Sequence, residues 1–235
     1  MKLSDETLVI LKNFSEINSG IVIEEGNVLS TIHPNKVIMG SAVVKESFPF
    51  QIRIYALGDF LSILSEDEDL VDLVLDKDDQ NQITIVGHSG KSKVKYRLAA
   101  PNLIISPPKK ALVLPSKDLE IKLDEKDLNW VLRMADILHS PNIIFRSDGK
   151  TLSLVTMDIK NDSAHEDTVE LGKAPSGTPF EFVFKRENWK MLPKTYDVTV
   201  TAKGMAHFKA NNLQYWVTTE KETWFGEKKQ GKGVE

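Results

Sequence analysis

The chain has 235 residues, 41% of them hydrophobic and 27% charged, which is enough for two domains that each bury a core. It contains no cysteine, so disulfides and thiolate metal sites are excluded, and no apolar run approaches the length of a bilayer-spanning helix. Its formal charge is −4: residues 1–110 carry 12 basic against 15 acidic residues and residues 111–235 carry 18 against 19, so neither half can hold nucleic acid by bulk charge alone.

Met1-Lys2-Leu3-Ser4-Asp5-Glu6 places acidic residues where a signal peptide needs an apolar stretch. Asp5 to Asn18 reads as an amphipathic helix capped by Ser4, with Gly20 just past its end. Strands are expected at Ile21–Glu24, Val28–Ile32, Lys36–Val44 and Phe50–Tyr55, with Glu25-Gly26-Asn27 turning the first two into a hairpin. Gly58–Leu64 is a short helix opened by Asp59. Leu70–Leu75, Gln82–Val86 and Lys93–Ala99 follow as strands. In the last, Val94, Tyr96 and Leu98 alternate with Lys95 and Arg97, the pattern of a half-buried strand.

Pro101, Pro107, Pro108 and Pro115 mark a stiff extended crossing in which Leu112-Val113-Leu114 is expected to add an edge strand. Beyond it come a strand at Leu119–Leu123, a helix from Glu125 to about His139, and strands at Asn142–Arg146, Thr151–Met157, Thr168–Leu171 and Phe180–Phe184. Glu187–Leu192 is read as a second short helix ended by Pro193. Tyr196–Ala202, Ala206–Ala210 and Gln214–Thr219 close the fold. The tail beyond Phe225 is polar and glycine-rich, with the composition of a disordered segment. The expected domains are 1–108 and 119–226, with a connector at 109–118 and the tail at 227–235.

The two halves repeat one another. Lys2-Leu3-Ser4, followed by Leu8, Leu11, Phe14 and Ile17, recurs 120 residues later as Lys122-Leu123-Asp124 followed by Leu128, Val131, Met134 and Ile137. Glu25-Gly26-Asn27-Val28-Leu29-Ser30 answers Asp148-Gly149-Lys150-Thr151-Leu152-Ser153. Phe50, Ile52 and Ile54 running into Phe60 and Ile63 answer Phe180, Phe182 and Phe184 running into Trp189 and Leu192. A repeat this long is a duplicated domain. Two copies of a strand-rich unit suit a symmetric assembly and need no catalytic centre.

Chemistry is sparse. Gly90-Lys91-Ser92 ends like a phosphate-binding loop, but Ile85 stands where that loop needs glycine and a strand follows where it needs a helix, so a hairpin turn is expected. His33, His88, His139, His165 and His207 show no metal-binding spacing. Glu66-Asp67-Glu68-Asp69, with Asp72, Asp76, Asp78 and Asp79, lacks calcium-loop spacing and reads as a solvated edge, with partner docking the lesser alternative. No serine elbow, nucleotide fingerprint or carboxylate pair points to an enzyme, and no cofactor is called for. Basic residues gather on the helices instead. Leu128, Val131, Leu132, Ala135 and Leu138 form one face of the second long helix, leaving Lys126, Asn129, Arg133 and Asp136 opposite. Lys185, Arg186, Lys190 and Lys194 surround the second short helix, and the first long helix offers Lys2 and Lys12. The bland reading is a set of charged helix faces; a functional one needs the helices to share a surface.

Met1-Lys2-Leu3-Ser4, Leu11-Lys12-Asn13-Phe14, Ile17-Asn18-Ser19-Gly20-Ile21, Phe60-Leu61 with Ile63-Leu64-Ser65, Lys190-Met191 with Pro193, Tyr196 and Ala202-Lys203-Gly204 resemble, in order, the sliding clamps of T4-type bacteriophages, which are DNA polymerase processivity factors. The resemblance runs to about Phe225; the loops Ser65–Gln80 and Lys160–Gly177 diverge. It implies an α+β DNA-clamp fold, two similar domains per chain with outer antiparallel sheets and inner helices, three chains closing into a ring around double-stranded DNA without regard to sequence. It also implies partners: the replicative polymerase, an ATP-driven clamp loader, and a late-transcription sigma-like factor with its co-activator, in the cytoplasm of an infected bacterial host and away from any membrane. Lys2, Lys12, Lys126, Arg133, Arg186, Lys190 and Lys194 are then the expected DNA-facing residues, with Glu6 and Glu16 moderating the charge. Leu112, Val113, Leu114, Trp224 and Phe225 are the expected partner-peptide pocket, with core or edge packing as their alternative role. Ring closure would use edges near Val94–Ile105 and Thr168–Leu171. A phage structural protein, or a nucleic-acid-binding module built on the Lys91–Arg97 strand, are the rival readings.

Overall fold

The computed structural model describes residues 1–65, 71–87, 90–100, 102–110 and 112–226. The chain divides into two units, Met1–Lys110 with Asn212–Gln214, and Ala111–Asn211 with Tyr215–Glu235. The acidic run 66–69, His88 and the tail 227–235 lie outside the described residues.

In the first unit, α1 spans Asp5–Ile17 because Ile10, Leu11, Phe14 and Ile17 recur on one face and are all buried. The Ser4 side chain accepts from Thr7 N at 3.4 Å, the expected cap. Asn18, in extended conformation, stops the helix, and its buried amide donates to Ile32 O at 2.9 Å and Ile105 O at 3.1 Å. Then come β1 (Ile21–Ile23), β2 (Gly26–Ile32), β3 (Ile38–Phe48) and β4 (Ile52–Ile54). The hairpin expected between β1 and β2 does not form: β1 pairs antiparallel with β4, and β2 with β3. Gly26, at φ 113°, lets the chain turn a corner from one pairing to the other.

Helix α2 covers Leu57–Ser65, starting two residues before Asp59 because buried Leu57 belongs to its first turn. β5 (Asp72–Val74), β6 (Gln82–Gly87) and β7 (Ser92–Arg97) form an antiparallel three-stranded sheet, with Gly87 opposite Ser92 across the expected turn. Met1 covers the β5 edge, receiving a hydrogen bond from Leu73 N and donating one to Leu73 O at 2.6 Å. The half-buried alternation expected in β7 holds only in part. Tyr96 meets Phe60 edge-on at 5.1 Å, but Val94 is 37% exposed, because β7 ends its sheet with no strand beyond it among the described residues.

The second unit holds β8 (Leu119–Leu123), α3 (Glu125–Ile137), β9 (Asn142–Ser147), β10 (Thr151–Met157), β11 (Asp167–Lys173), β12 (Phe180–Lys185), β13 (Tyr196–Thr201), β14 (Met205–Lys209), β15 (Leu213–Thr218, from Tyr215 on) and β16 (Trp224–Phe225). One antiparallel sheet has the order β11-β10-β9-β12-β16; in the other, β13 pairs antiparallel with β8 and β14. The Asp148-Gly149 turn does make a hairpin. The Asp148 carboxylate accepts from Lys150 N and Thr151 N, and Gly177 O lies 2.7 Å from where a side chain on Gly149 would begin. Leu112–Leu114 form no strand, and Val113 is 84% exposed. The second short helix is also corrected. Only a 3-10 turn at Arg186–Asn188 forms, because buried Trp189 and Met191, two residues apart, do not fit one face of an α-helix. Trp189 packs against Phe145, Phe184 and Phe208 at centroid distances of 6.0, 5.5 and 5.4 Å, the centre of an aromatic core. In both units the long helix lies on antiparallel strands, α1 on β2 and β3 and α3 on β9, β10 and β11, so the fold is α+β as expected.

Candidate nucleic-acid interface

The buried stripes of α1 and α3 fix which side chains face outward. On α3, burial of Leu128, Val131 and Ala135 leaves Lys126, Asn129, Trp130, Arg133 and Asp136 exposed. Four of these, Lys126, Asn129, Trp130 and Arg133, line a shallow hollow. The Arg133 guanidinium lies over the Trp130 ring at 5.2 Å, and Trp130 Nε1 donates to Asp167 on β11 at 3.2 Å. Trp130 is 44% exposed and was not singled out from sequence, although its place four residues after Lys126 and three before Arg133 puts it on the same face. Asp124 holds the N-cap position of α3 but makes no capping bond; Thr195 Oγ1 accepts from Glu125 N instead.

On the first unit, Lys2, just before α1, and Lys12, within it, are exposed. Lys12 joins Leu8, Ser15, Leu61 and Leu64 along a groove between α1 and α2. Glu46 anchors the start of this helix by accepting from Ser4 N and Thr7 Oγ1. Burial pushes the Glu46 carboxyl upward, but the hydrogen bonds from Thr7 and Ser4 outweigh it and hold the group below its ordinary range. Glu6 lies 3.8 Å from Lys45 and also accepts from Asn212 Nδ2, so its charge is shared.

The remaining candidates differ among themselves. Arg186 Nη2 is 2.9 Å from Asp136 Oδ2, which places this guanidinium in an ion pair on the rim of a cavity. Lys190 and Lys194 are half-buried. Of the residues expected in a peptide pocket, Leu112 and Leu114 are half-buried. Trp224 and Phe225 form β16, paired with Glu181 and Phe180 of β12. Trp224 Nε1 donates to Glu181 at 2.9 Å, and Phe225 stacks on Phe180 and Phe182. Edge packing thus occupies one side of both aromatics. Among the described residues no group of three or more His, Asp or Glu is placed to hold a metal ion, and no helix is long and apolar enough to cross a membrane.

The family described as DNA polymerase processivity factor matches residues 4–106, and that described as gp45 sliding clamp, C terminal, matches residues 119–221. The sliding clamp of Vibrio phage KVP40 is 30% identical over 224 residues, covering 94% of this chain and 99% of that protein. The sliding clamp of Enterobacteria phage T4 is 28% identical over 229 residues, covering 95% and 98%. A solved structure of A. fulgidus PCNA, bound to the C-terminal region of FEN-1, shares the fold with a TM-score of 0.68 at 14% identity, covering 93% of this chain and 96% of that one.

Proposed function

The chain belongs to the phage sliding-clamp family, and from that premise we propose that three copies close head to tail into a ring that encircles duplex DNA and tethers the replicative polymerase. The observation that carries this reading is a pair of open sheet edges of opposite charge. The first unit's sheet ends in β7, which carries Lys93, Lys95 and Arg97, with Lys91 just before the strand, all exposed. The second ends in β11, which carries Asp167 and exposed Glu170, with exposed Glu166 just before the strand and Lys173 at its far end, a net negative edge. An unpaired edge invites another strand, and edges of opposite sign on one chain favour a heterologous, ring-forming contact over self-pairing. The ring must hold DNA by topology, since the net charge of −4 opposes static binding.

Lys2, Lys12, Lys126 and Arg133 then make loose, sequence-blind phosphate contacts, with Lys190 and Lys194 beside them. Arg186, already paired with Asp136, contributes less. An ATP-driven loader opens the ring, and late-transcription factors use it as a mobile platform in the cytoplasm of the infected host. Leu112, Val113, Leu114, Trp224 and Phe225 are the proposed peptide pocket.

The test is retention after loading on nicked circular DNA, followed by linearisation. A topological clamp stays on the circle and is lost from the cut molecule. Equal retention on both would favour a direct binding module on the Lys91–Arg97 strand, and failure to load on either would favour a structural phage protein.

A further inference from the structure

A second site lies in the second unit, where the end of α3, the start of β9, the loop after β10 and the end of β12 enclose a cavity of about 780 Å³. Helix α3 ends at Ile137 with Leu138 as its C-cap, and His139 takes a left-handed φ of 53°. His139 N donates to Asp136 O at 3.3 Å and Ser140 N to Ala135 O at 2.8 Å, a glycine-type helix stop made with histidine. That stop swings Ser140 inward. The residue is 3% exposed, yet among the described residues its Oγ has no hydrogen-bond partner, and neither does the buried Nε of Arg186 on the same cavity wall. Leaving such donors unsatisfied costs roughly 1–3 kcal/mol each, and both lack an acceptor among the described residues.

Ala135, Pro141 and Ile159 supply apolar lining, and Ile159 packs on the Ile144–Val155–Val183 cluster. Five carboxylates surround the cavity. Asp136 is tied to Arg186 and Glu187 to Lys185 at 3.7 Å, while Asp158, Glu220 and Glu222 have no ion pair among the described residues. Lys160 is the further cation in the lining.

We propose that this cavity docks a peptide segment of a partner protein that carries lysine or arginine beside an apolar residue. A backbone carbonyl of the segment accepts from Ser140 Oγ and Arg186 Nε, the apolar residue rests on Pro141 and Ile159, and the basic residue meets Asp158, Glu220 and Glu222. The volume is that of an ordinary ligand site, and the excess of carboxylates selects positive charge.

The probes are the capped tripeptides acetyl-Lys-Ile-Lys-amide and acetyl-Glu-Ile-Glu-amide, titrated at matched ionic strength into the full chain labelled at isoleucine methyls. The Ile159 resonance is assigned through Ile159→Val. The lysine probe is expected to shift Ile159 saturably, and the glutamate probe is not. Replacing Glu220 and Glu222 with glutamine should weaken the lysine probe roughly five- to tenfold, in line with two partly exposed ion pairs. Ser140→Ala should weaken it further while leaving the melting temperature close to wild type, because an unpartnered hydroxyl is being removed. No saturable Ile159 shift, equal shifts from both probes, or an affinity indifferent to Glu220 and Glu222 would overturn the proposal.

Discussion

Reversing charge on the first unit's open edge should weaken the ring by a calculable amount. Lys93 and Lys95 are exposed on β7, and the facing candidates are Glu170 on β11 and Glu166 just before it, with Glu166 already 3.2 Å from Arg146. Partly exposed pairs contribute about 0.2–1 kcal/mol each, and like charges repel by similar amounts. Replacing Lys93 and Lys95 with glutamate therefore costs about 1–2 kcal/mol per contact. A closed trimer has three contacts, so the ring loses about 3–6 kcal/mol, or roughly two to four decades in its dissociation constant to monomers. Sedimentation equilibrium measures this directly. The wild-type ring should loosen as salt rises from about 0.1 to 1 M, where the screening length falls from roughly 10 to 3 Å, whereas the reversed variant should tighten. Adding Glu170→Lys to the variant should restore part of the loss. A trimer equally stable in the variant and at all salt concentrations would refute the electrostatic argument while leaving the ring intact. A wild-type monomer at micromolar concentration would refute the ring itself.

Glu46→Gln should lower stability at neutral pH by about 1 kcal/mol, the low end for charged hydrogen bonds because the group is half-exposed. Its carboxyl lies below its ordinary value in the folded state, so its contribution is full above the unfolded value of 4.5 and is lost as pH falls through the folded one. Thermal melts across that range should show a flatter acid limb for the variant. His139→Gly should stabilise the chain by about 0.5–1 kcal/mol in urea unfolding, since glycine takes the left-handed stop without steric cost. Lys126→Ala with Arg133→Ala should reduce the salt dependence of DNA association by a slope of up to roughly 0.9 per lost contact, and should lower loading and processivity without changing trimer mass. Val113→Ala and Trp224→Ala, made separately, should each weaken the polymerase C-terminal peptide in a binding titration; unchanged affinity in both folded variants would move the pocket elsewhere.

Local chemistry made much of this molecule legible in its sequence. Leu11, Phe14 and Ile17 at helical spacing, with Ser4 before them, are properties of a short segment and placed α1 correctly, although Ile10 rather than the expected Leu8 completes the buried stripe; the strand expected at Thr151–Met157 is β10. The internal repeat exposed the duplication because two copies of one fold keep the same order of apolar positions. What sequence left open was decided by partners distant in the chain. Glu25-Gly26-Asn27 has hairpin composition, but β1 gains more from β4, about thirty residues on, than from its neighbour. Glu187–Leu192 carries helix-forming residues, yet the aromatic core claims Trp189 and Met191, and one turn is all that survives. Arg186 reads as one more surface cation until Asp136 is found 2.9 Å away. Trp224 and Phe225, ambiguous in sequence, became an edge strand because Glu181 and Phe180 were free to receive them. Periodicity and caps act over a few residues and can be read in order along the chain. Strand pairing, core filling and the neutralisation of charge depend on which distant groups meet at the same place, and only the folded chain brings those groups together.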